Sequence, residues 1–365
     1  NVNYMVMLAE SYLNNQMMDK ALEIFNKVED MDVENGLIYF SIADFYRIQQ
    51  DVEKAFFMLR KGFAAQDVDV DMKIKMMITM LSYMGDDKYL FDNAARLMDI
   101  LLVAYPEDVK VRTLYTDFLI YDEKYLEAQA EFDYILSEEK GIFDLWEQGL
   151  FIDNYLMDFE AMYRRSKEAV SFFPNQPVLF LFYAISAFQT ENYEDVIQAG
   201  KQARTIIVND DEMLVQILNF KAEAYRKLDN HQKSDEILEI LIKINPRDVF
   251  VLNNYSYYLS MRGEKLEKAL EMSTKLISLD DSKPAFLDTH AWVLYKNGQY
   301  DEALIFINRA IDGGGNNAVH YEHKGDILYK LGDKDGALKN WKKALEIGEA
   351  SDLLEEKIEK NKLIE

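Results

Sequence analysis

Small and apolar positions recur along this chain at a long, nearly constant interval. Near the C-terminus Ala291 precedes Ala303 by twelve residues, with Tyr300 just ahead of the second alanine, and Gly325 precedes Ala337 by the same twelve, followed by Trp341 and Ala344. The two copies lie 34 residues apart, the period of a stacked helix pair. One small residue falls on each helix of an antiparallel pair, where the missing bulk lets the two backbones approach. Gly298 and Gly332 mark the turn between the helices, where a C-cap often needs positive φ. Followed back through the chain, the second-helix position reads Ala21, Ala55, Ala94, Ala128, Met162, Val196, Ser234, Ala269, Ala303 and Ala337. The steps between them are 34, 39, 34, 34, 34, 38, 35, 34 and 34. The surplus residues fall around Gly85 to Phe91, around Val208 to Glu212 and between Gly263 and Leu266, polar or turn-like places where loops lengthen cheaply.

The pattern predicts an all-α chain of about ten helix pairs over residues 1–349, closed by a capping helix within 350–365. Ser351 is a candidate N-cap for that last helix, and Glu355, Glu356, Lys357, Glu359 and Lys360 make its outer face polar. A stack needs such a lid because its final repeat has no neighbour. Two units depart from the pattern. The third gathers Met72, Met76, Met77, Met80 and Met84 before an extended turn and is expected to be loose or splayed. Methionine there fills irregular core gaps or, alternatively, offers an adaptable binding surface. In the fifth, Leu150 and Met162 stand where small residues belong, while Gly149 and Ala161 keep the spacing one step earlier, so its register is open by one.

Composition changes the picture in three ways. Among 365 residues there are only 5 prolines and 15 glycines, and no linker-like stretch divides the chain, which argues for one continuous object. The formal charge of −24 removes the basic footprint that phosphate binding requires, so nucleic acid is excluded and an anionic membrane would repel the chain. That charge either keeps a long array soluble or favours basic and apolar partners. Cysteine is absent, which excludes disulfides, thiolate catalysis and cysteine-ligated zinc. The longest strongly apolar run, Val178 to Phe188, is far shorter than the ~18–20 residues of a membrane span. The chain opens on Asn1, and the expectation is a trimmed or mature form whose targeting segment is missing.

Residue by residue the repeat resembles the tetratricopeptide family, whose signature is W-x₂-L-G-x₂-Y, then A-x₃-F, then P. In the first unit Met5, Leu8, Ala9, Tyr12, Ala21 and Phe25 fall on those positions; in the second, Tyr39, Ile42, Ala43, Tyr46, Ala55 and Leu59 do. The seventh supplies Leu218, Ala222, Tyr225, Leu238 and Pro246, and the tenth Tyr321, Gly325, Leu328, Ala337 and Trp341. Pro106, Pro174 and Pro246 occupy the closing position. The resemblance implies a right-handed superhelical α-solenoid. The last hundred residues also look like exported bacterial members, in the phrases Leu252-Asn-Asn-Tyr-Ser-Tyr-Tyr-Leu259, Leu287-Asp-Thr-His-Ala-Trp-Val-Leu-Tyr295 and His323-Lys-Gly-Asp326. That likeness implies the periplasmic side of a bacterial envelope rather than the cytoplasm.

Catalytic and cofactor motifs are weak. Gly313-Gly-Gly-Asn-Asn-Ala318 satisfies a dinucleotide fingerprint formally, but it follows a helix instead of a strand and reads as an inter-repeat turn. His320 and His323 share a helix with Glu322 and Asp326, yet no three-ligand metal spacing is present. Asp333-Lys-Asp-Gly336 lacks the remaining ligands of a calcium loop. The acidic pairs Asp86-Asp87, Asp210-Asp211 and Asp280-Asp281 are explained by capping. No nucleophile–base set can be assembled, and no enzyme, cofactor or metal is expected.

What the resemblance leaves is a groove, lined by set positions of each first helix. Carried over, these are Phe40, Asp44 and Arg47; Thr113, Asp117 and Tyr121; Phe182, Ile185 and Phe188; and Asn219, Phe220, Glu223 and Lys227. The later units give Asn253, Asn254 and Tyr257; Asp288, Trp292 and Tyr295; and Glu322, His323, Asp326 and Tyr329. Groove exposure is expected above all of Tyr257, Trp292 and Tyr295. The basic carboxylate clamp of the family's chaperone-tail binders is missing. An aromatic and acidic surface implies a non-catalytic scaffold for a protein or peptide segment bearing basic and apolar side chains. The alternatives are an envelope assembly component that oligomerises through repeat edges, and an adaptor module belonging to a longer protein.

Overall fold

The computed structural model describes residues 2–29, 31, 35–208, 211–315, 317–348 and 351–364. Among them lie 21 helices and no strand, as the spacing predicts. Contacts divide the chain into two compact units, Asn1–Pro174 and Asn175–Glu365. The first holds five antiparallel pairs: α1 (Val2–Asn14) with α2 (Met18–Glu29), α3 (Gly36–Ile48) with α4 (Val52–Ala64), α5 (Val70–Met84) with α6 (Lys88–Ala104), α7 (Val109–Tyr121) with α8 (Tyr125–Glu138), and α9 (Phe143–Tyr155) with α10 (Phe159–Phe172). The second holds α11 (Pro177–Gln189) with α12 (Tyr193–Ile206), α13 (Asp211–Lys227) with α14 (His231–Ile244), α15 (Val249–Arg262) with α16 (Leu266–Leu279), α17 (Pro284–Lys296) with α18 (Tyr300–Asp312), and α19 (Ala318–Lys330) with α20 (Lys334–Ile347). A short α21 (Leu354–Lys360) ends the second unit, and the 349/350 boundary expected ahead of it lies outside the described residues.

Every rung of the ladder from Ala21 to Ala337 is buried, one on each second helix. The approach is close at Gly325, where an added Cβ would meet the Trp341 ring at 2.4 Å, and at Gly62, where it would meet the Phe40 ring at 2.3 Å. Helix starts are set by short acids: Asp51, Asp87, Asp108, Asp158, Asp248 and Asp333 each accept from a backbone N–H of the first turn that follows. That accounts for Asp87 as a cap. Asp280 instead accepts from Ser282, Asp281 pairs with Arg309 at 2.6 Å, and Asp210 lies outside the described residues.

The turn inside most pairs is three residues long and its middle residue has positive φ. Gly298 and Gly332 fill that place as expected, but Gln16, Gln50, Glu123, Met157, Glu191 and Asp229 fill it in six other units. A side chain in this region costs about 1–2 kcal/mol, which the packed helices on either side offset. Met157 is 74% exposed and contributes no packing to balance that strain. Met157→Gly is therefore expected to raise stability by about 0.5–1 kcal/mol once the glycine's extra unfolded-state entropy is subtracted, read as a higher urea midpoint at unchanged slope.

Two surplus stretches are placed differently from the sequence expectation. Instead of widening a loop, the residues near Gly85 to Phe91 lengthen α6 to 17 residues, with Asp87 capping it seven positions before Ala94. Likewise α13 has 17 residues and takes up part of the insertion before Glu212. The fifth register settles on Met162: Asp158 caps α10 four positions earlier, as Asp51 and Asp333 do for Ala55 and Ala337. Beside it the buried Arg165 donates to the Gly149 carbonyl at 2.6 Å and lies 2.7 Å from the buried Asp153 carboxylate.

Candidate functional site

In the first unit Phe40, Asp44 and Arg47 line a cleft of about 850 Å³ between α3, α4, α5 and α6. Its floor is buried Phe40, Ala43, Ala55, Phe56 and Leu59; its open wall is the α5 face carrying Met72, Met76, Met80 and Tyr83. The third unit is thus splayed, as its methionines suggested. Phe40 turns its edge to Phe63, while Asp44 is exposed and held by Arg47 at 2.6 Å. Farther along this unit Asp117 is exposed, and Tyr121 stacks on Phe91 while its hydroxyl donates to the Gly85 carbonyl.

In the second unit Asn253, Tyr257 and Asp288 come together around a pocket of about 260 Å³, completed by Ala285, Thr289, Asn317, Val319 and His320. Its walls are the first helices α15, α17 and α19, the face on which the resemblance places a groove. Asp288 accepts from His323 Nδ1 at 2.8 Å. Burial pushes His323 down, yet the carboxylates of Asp288, Asp326 and Glu322 outweigh it and raise the imidazole above its ordinary value. His320 donates from Nδ1 to the Gly315 carbonyl at 2.6 Å, and its Nε2 at the pocket wall lies 4.0 Å from the Asp288 carboxylate. A Cβ on Gly315 would meet that imidazole at 2.4 Å, so this glycine seats a histidine. Asn253 donates to Asn254 at 3.1 Å, and its own Oδ1 is buried and accepts from none of the described residues.

The remaining residues are placed less openly than expected. Trp292 and Tyr295 are buried, not exposed: they stack on each other at 4.7 Å, and His323 lies against the Trp292 ring at 4.0 Å. Tyr257 is half-buried. Phe182 is buried, and Phe220 packs on Phe188 at 5.5 Å. Glu223 accepts from Arg226 at 2.9 Å and from the Tyr258 hydroxyl at 2.5 Å. Tyr329 stacks on Trp341, whose indole N–H donates to Asp326 at 2.8 Å.

Glu322 and Asp326 share one buried cation, Lys357 of α21, at 2.8 Å each. Ser351, expected as an N-cap, gives both its N–H and its hydroxyl to Glu322, and no side chain caps α21. Lys357 follows Glu322 by 35 residues, and His323 follows Asp288 by the same 35. The side-chain contacts from α21 back to α19 thus repeat the 35-residue spacing of those from α19 back to α17.

Comparison with known proteins finds the repeat itself. Residues 4–30, across α1 and α2, and residues 215–248, across α13 and α14, each match a family model described as Tetratricopeptide repeat. A stretch of 79 residues is 32% identical to a TPR repeat-containing protein of Methanocaldococcus jannaschii, covering 22% of this chain and 14% of that protein. Among solved structures, a chain of the APC/C hetero-tetramer Cut9–Hcn1 is 12% identical over 99% of this chain and 77% of its own, with a TM-score of 0.47. MamA from Desulfovibrio magneticus RS-1 is 13% identical over 47% of this chain and 94% of its own, with a TM-score of 0.42. The chain thus carries tetratricopeptide repeats at residues 4–30 and 215–248. Such repeats build protein-interaction scaffolds, and protein is the partner class they imply. Among the described residues no helix is long and apolar enough to cross a membrane.

Proposed function

We propose that the chain is a non-catalytic scaffold whose second unit holds a basic side chain of a partner's extended segment in the α15–α17–α19 pocket. The observation that supports this most directly is the convergence of two acceptors there, the Asp288 carboxylate and the unpartnered Asn253 Oδ1, beside the half-buried Tyr257 ring. Asn253 Oδ1 asks for a donor from the ligand, the Asp288 carboxylate beside it keeps capacity for a donor besides His323, and an aromatic face next to them suits an ammonium or guanidinium. The family's chaperone-tail binders present the opposite charge, so a terminal carboxylate is a poor fit. Glu322 and Asp326 contribute from behind, by keeping α21 and α19 in place.

Selection of a random heptapeptide display library on the whole chain tests the reading. Lysine or arginine is expected to be enriched at one position, and the enrichment is expected to fall at least fivefold with Tyr257→Ala or Asp288→Asn while helical content stays constant. Enrichment of acidic residues, or basic enrichment indifferent to both substitutions, would overturn it.

A further inference from the structure

The first unit carries a second surface that the pocket above does not use. α5 is apolar on nearly every face, yet of its 15 residues only Lys73, Met77 and Met84 are buried. A helix of that composition is normally covered on all sides. Among the first helices of the unit α1 touches α3 and α5 touches α7, whereas α3 and α5, like α7 and α9, have few or no close contacts. What separates α3 from α5 is the cleft of about 850 Å³. Met72, Met76, Met80 and Tyr83 form one stripe on α5, spaced four, four and three residues apart, and run about 16 Å along its axis. Phe40, Ala43, Asp44 and Arg47 form the facing stripe on α3. Met72 and Tyr83 are 42% and 84% exposed, an apolar edge left open to solvent.

Charge narrows the occupant. Three charged residues line the cleft, Asp44, Arg47 and Lys75. The first two neutralise each other at 2.6 Å. Lys75 is exposed and makes no ion pair among the described residues, so this mouth is net positive on a chain whose formal charge is −24. Two helical stripes, about three turns long on α5 and about two on α3, offer grooves for the ridge of a third helix, and methionine adapts to the side chains it meets. We infer that the cleft docks an amphipathic α-helix of about three turns, its apolar stripe on the methionines and an acidic residue on the flank facing Lys75.

The test uses the whole chain and three fluorescein-labelled 16-residue peptides. One is helical with a leucine stripe and glutamates on the flank, the second replaces those glutamates by lysine, and the third is the glutamate peptide carrying two central prolines. Anisotropy is expected to show the glutamate helix binding at least tenfold tighter than the lysine twin, with the order inverted by Lys75→Glu. Tyr83→Lys, at a position that disturbs no packing, is expected to weaken the glutamate helix about tenfold with an unchanged circular dichroism spectrum. Equal binding of the proline peptide would mean an extended ligand and overturn the inference. So would a peptide order indifferent to Lys75→Glu. A dimer in sedimentation that Tyr83→Lys dissolves would assign the cleft to a second copy of the chain, and overturn it too. None of these outcomes depends on Asp288 or Tyr257, so the two sites stand or fall separately.

Discussion

Lys357→Met is expected to destabilise the end of the second unit by about 3–5 kcal/mol, the cost of leaving buried carboxylates without their cation. The lysine is 4% exposed and donates to Glu322 and Asp326, both themselves buried. Burial pulls its pKa down, but the two carboxylates outweigh that and raise it, so the ammonium stays charged throughout the physiological range. The acids differ. Glu322 keeps a lowered pKa against its burial because Lys357 and Ser351 supply donors. Asp326 is raised by burial in spite of Lys357 and the Trp341 N–H. Asp326 is therefore the carboxylate that takes a proton first when the cation goes. Undocking of α21 is the route by which the strain escapes, so amide exchange on α21 is read alongside urea denaturation. The triple replacement Glu322→Gln, Asp326→Asn, Lys357→Met is expected to recover most of the loss, because no charge is then stranded. A change below about 0.5 kcal/mol in the single variant, with α21 as protected as before, would show that the clamp holds nothing.

The fold was legible because it is written in spacing. A ladder of small residues with a step near 34 needs no tertiary information, and each of its ten rungs is buried. The insertions were misplaced because a helix and a loop of equal length look alike in a period: the residues near Gly85 became an extra turn of α6. The site was less legible, since the repeat identifies which positions face the next helix but not whether solvent or side chains meet them there. Asp288, Glu322 and Asp326 each have a cation or imidazole from a residue about one repeat farther on. Lys357, expected on the polar outer face of the last helix, is instead buried on the stripe of α21 that carries Leu354 and Ile358; that spacing was the signal, since a lysine among buried apolar neighbours calls for an acid opposite. His320 gave no comparable signal, because its partner is a backbone carbonyl in the triple-glycine turn.

Acid is expected to weaken the second unit through His290 in particular. This residue is 5% exposed, with Nδ1 2.9 Å from the Ser273 hydroxyl and its ring edge-on to Phe306. Among the described residues no carboxylate acts on that site, and burial pushes the imidazole down to about 4. Above pH 6.5 neither the folded nor the unfolded form carries the proton, and the residue has no pH-dependent effect. Between pH 6.5 and 4 the unfolded chain takes up a proton that the folded chain refuses, so stability falls with pH, by on the order of 3 kcal/mol in all. His323, one repeat farther on, runs the other way: raised by Asp288, it contributes stability below its unfolded value and loses it as pH rises through the folded one. The contrast follows from the partner, a hydroxyl in one case and a carboxylate in the other. A proton NMR titration is expected to find the His290 midpoint near 4. In parallel, the stability gap between the parent chain and His290→Asn is expected to shift in favour of the variant by roughly 3 kcal/mol on going from pH 7 to pH 4. A midpoint at the ordinary histidine value, or a gap that does not move, would mean that solvent reaches the ring and that the α16–α17 contact opens far more readily than its packing implies.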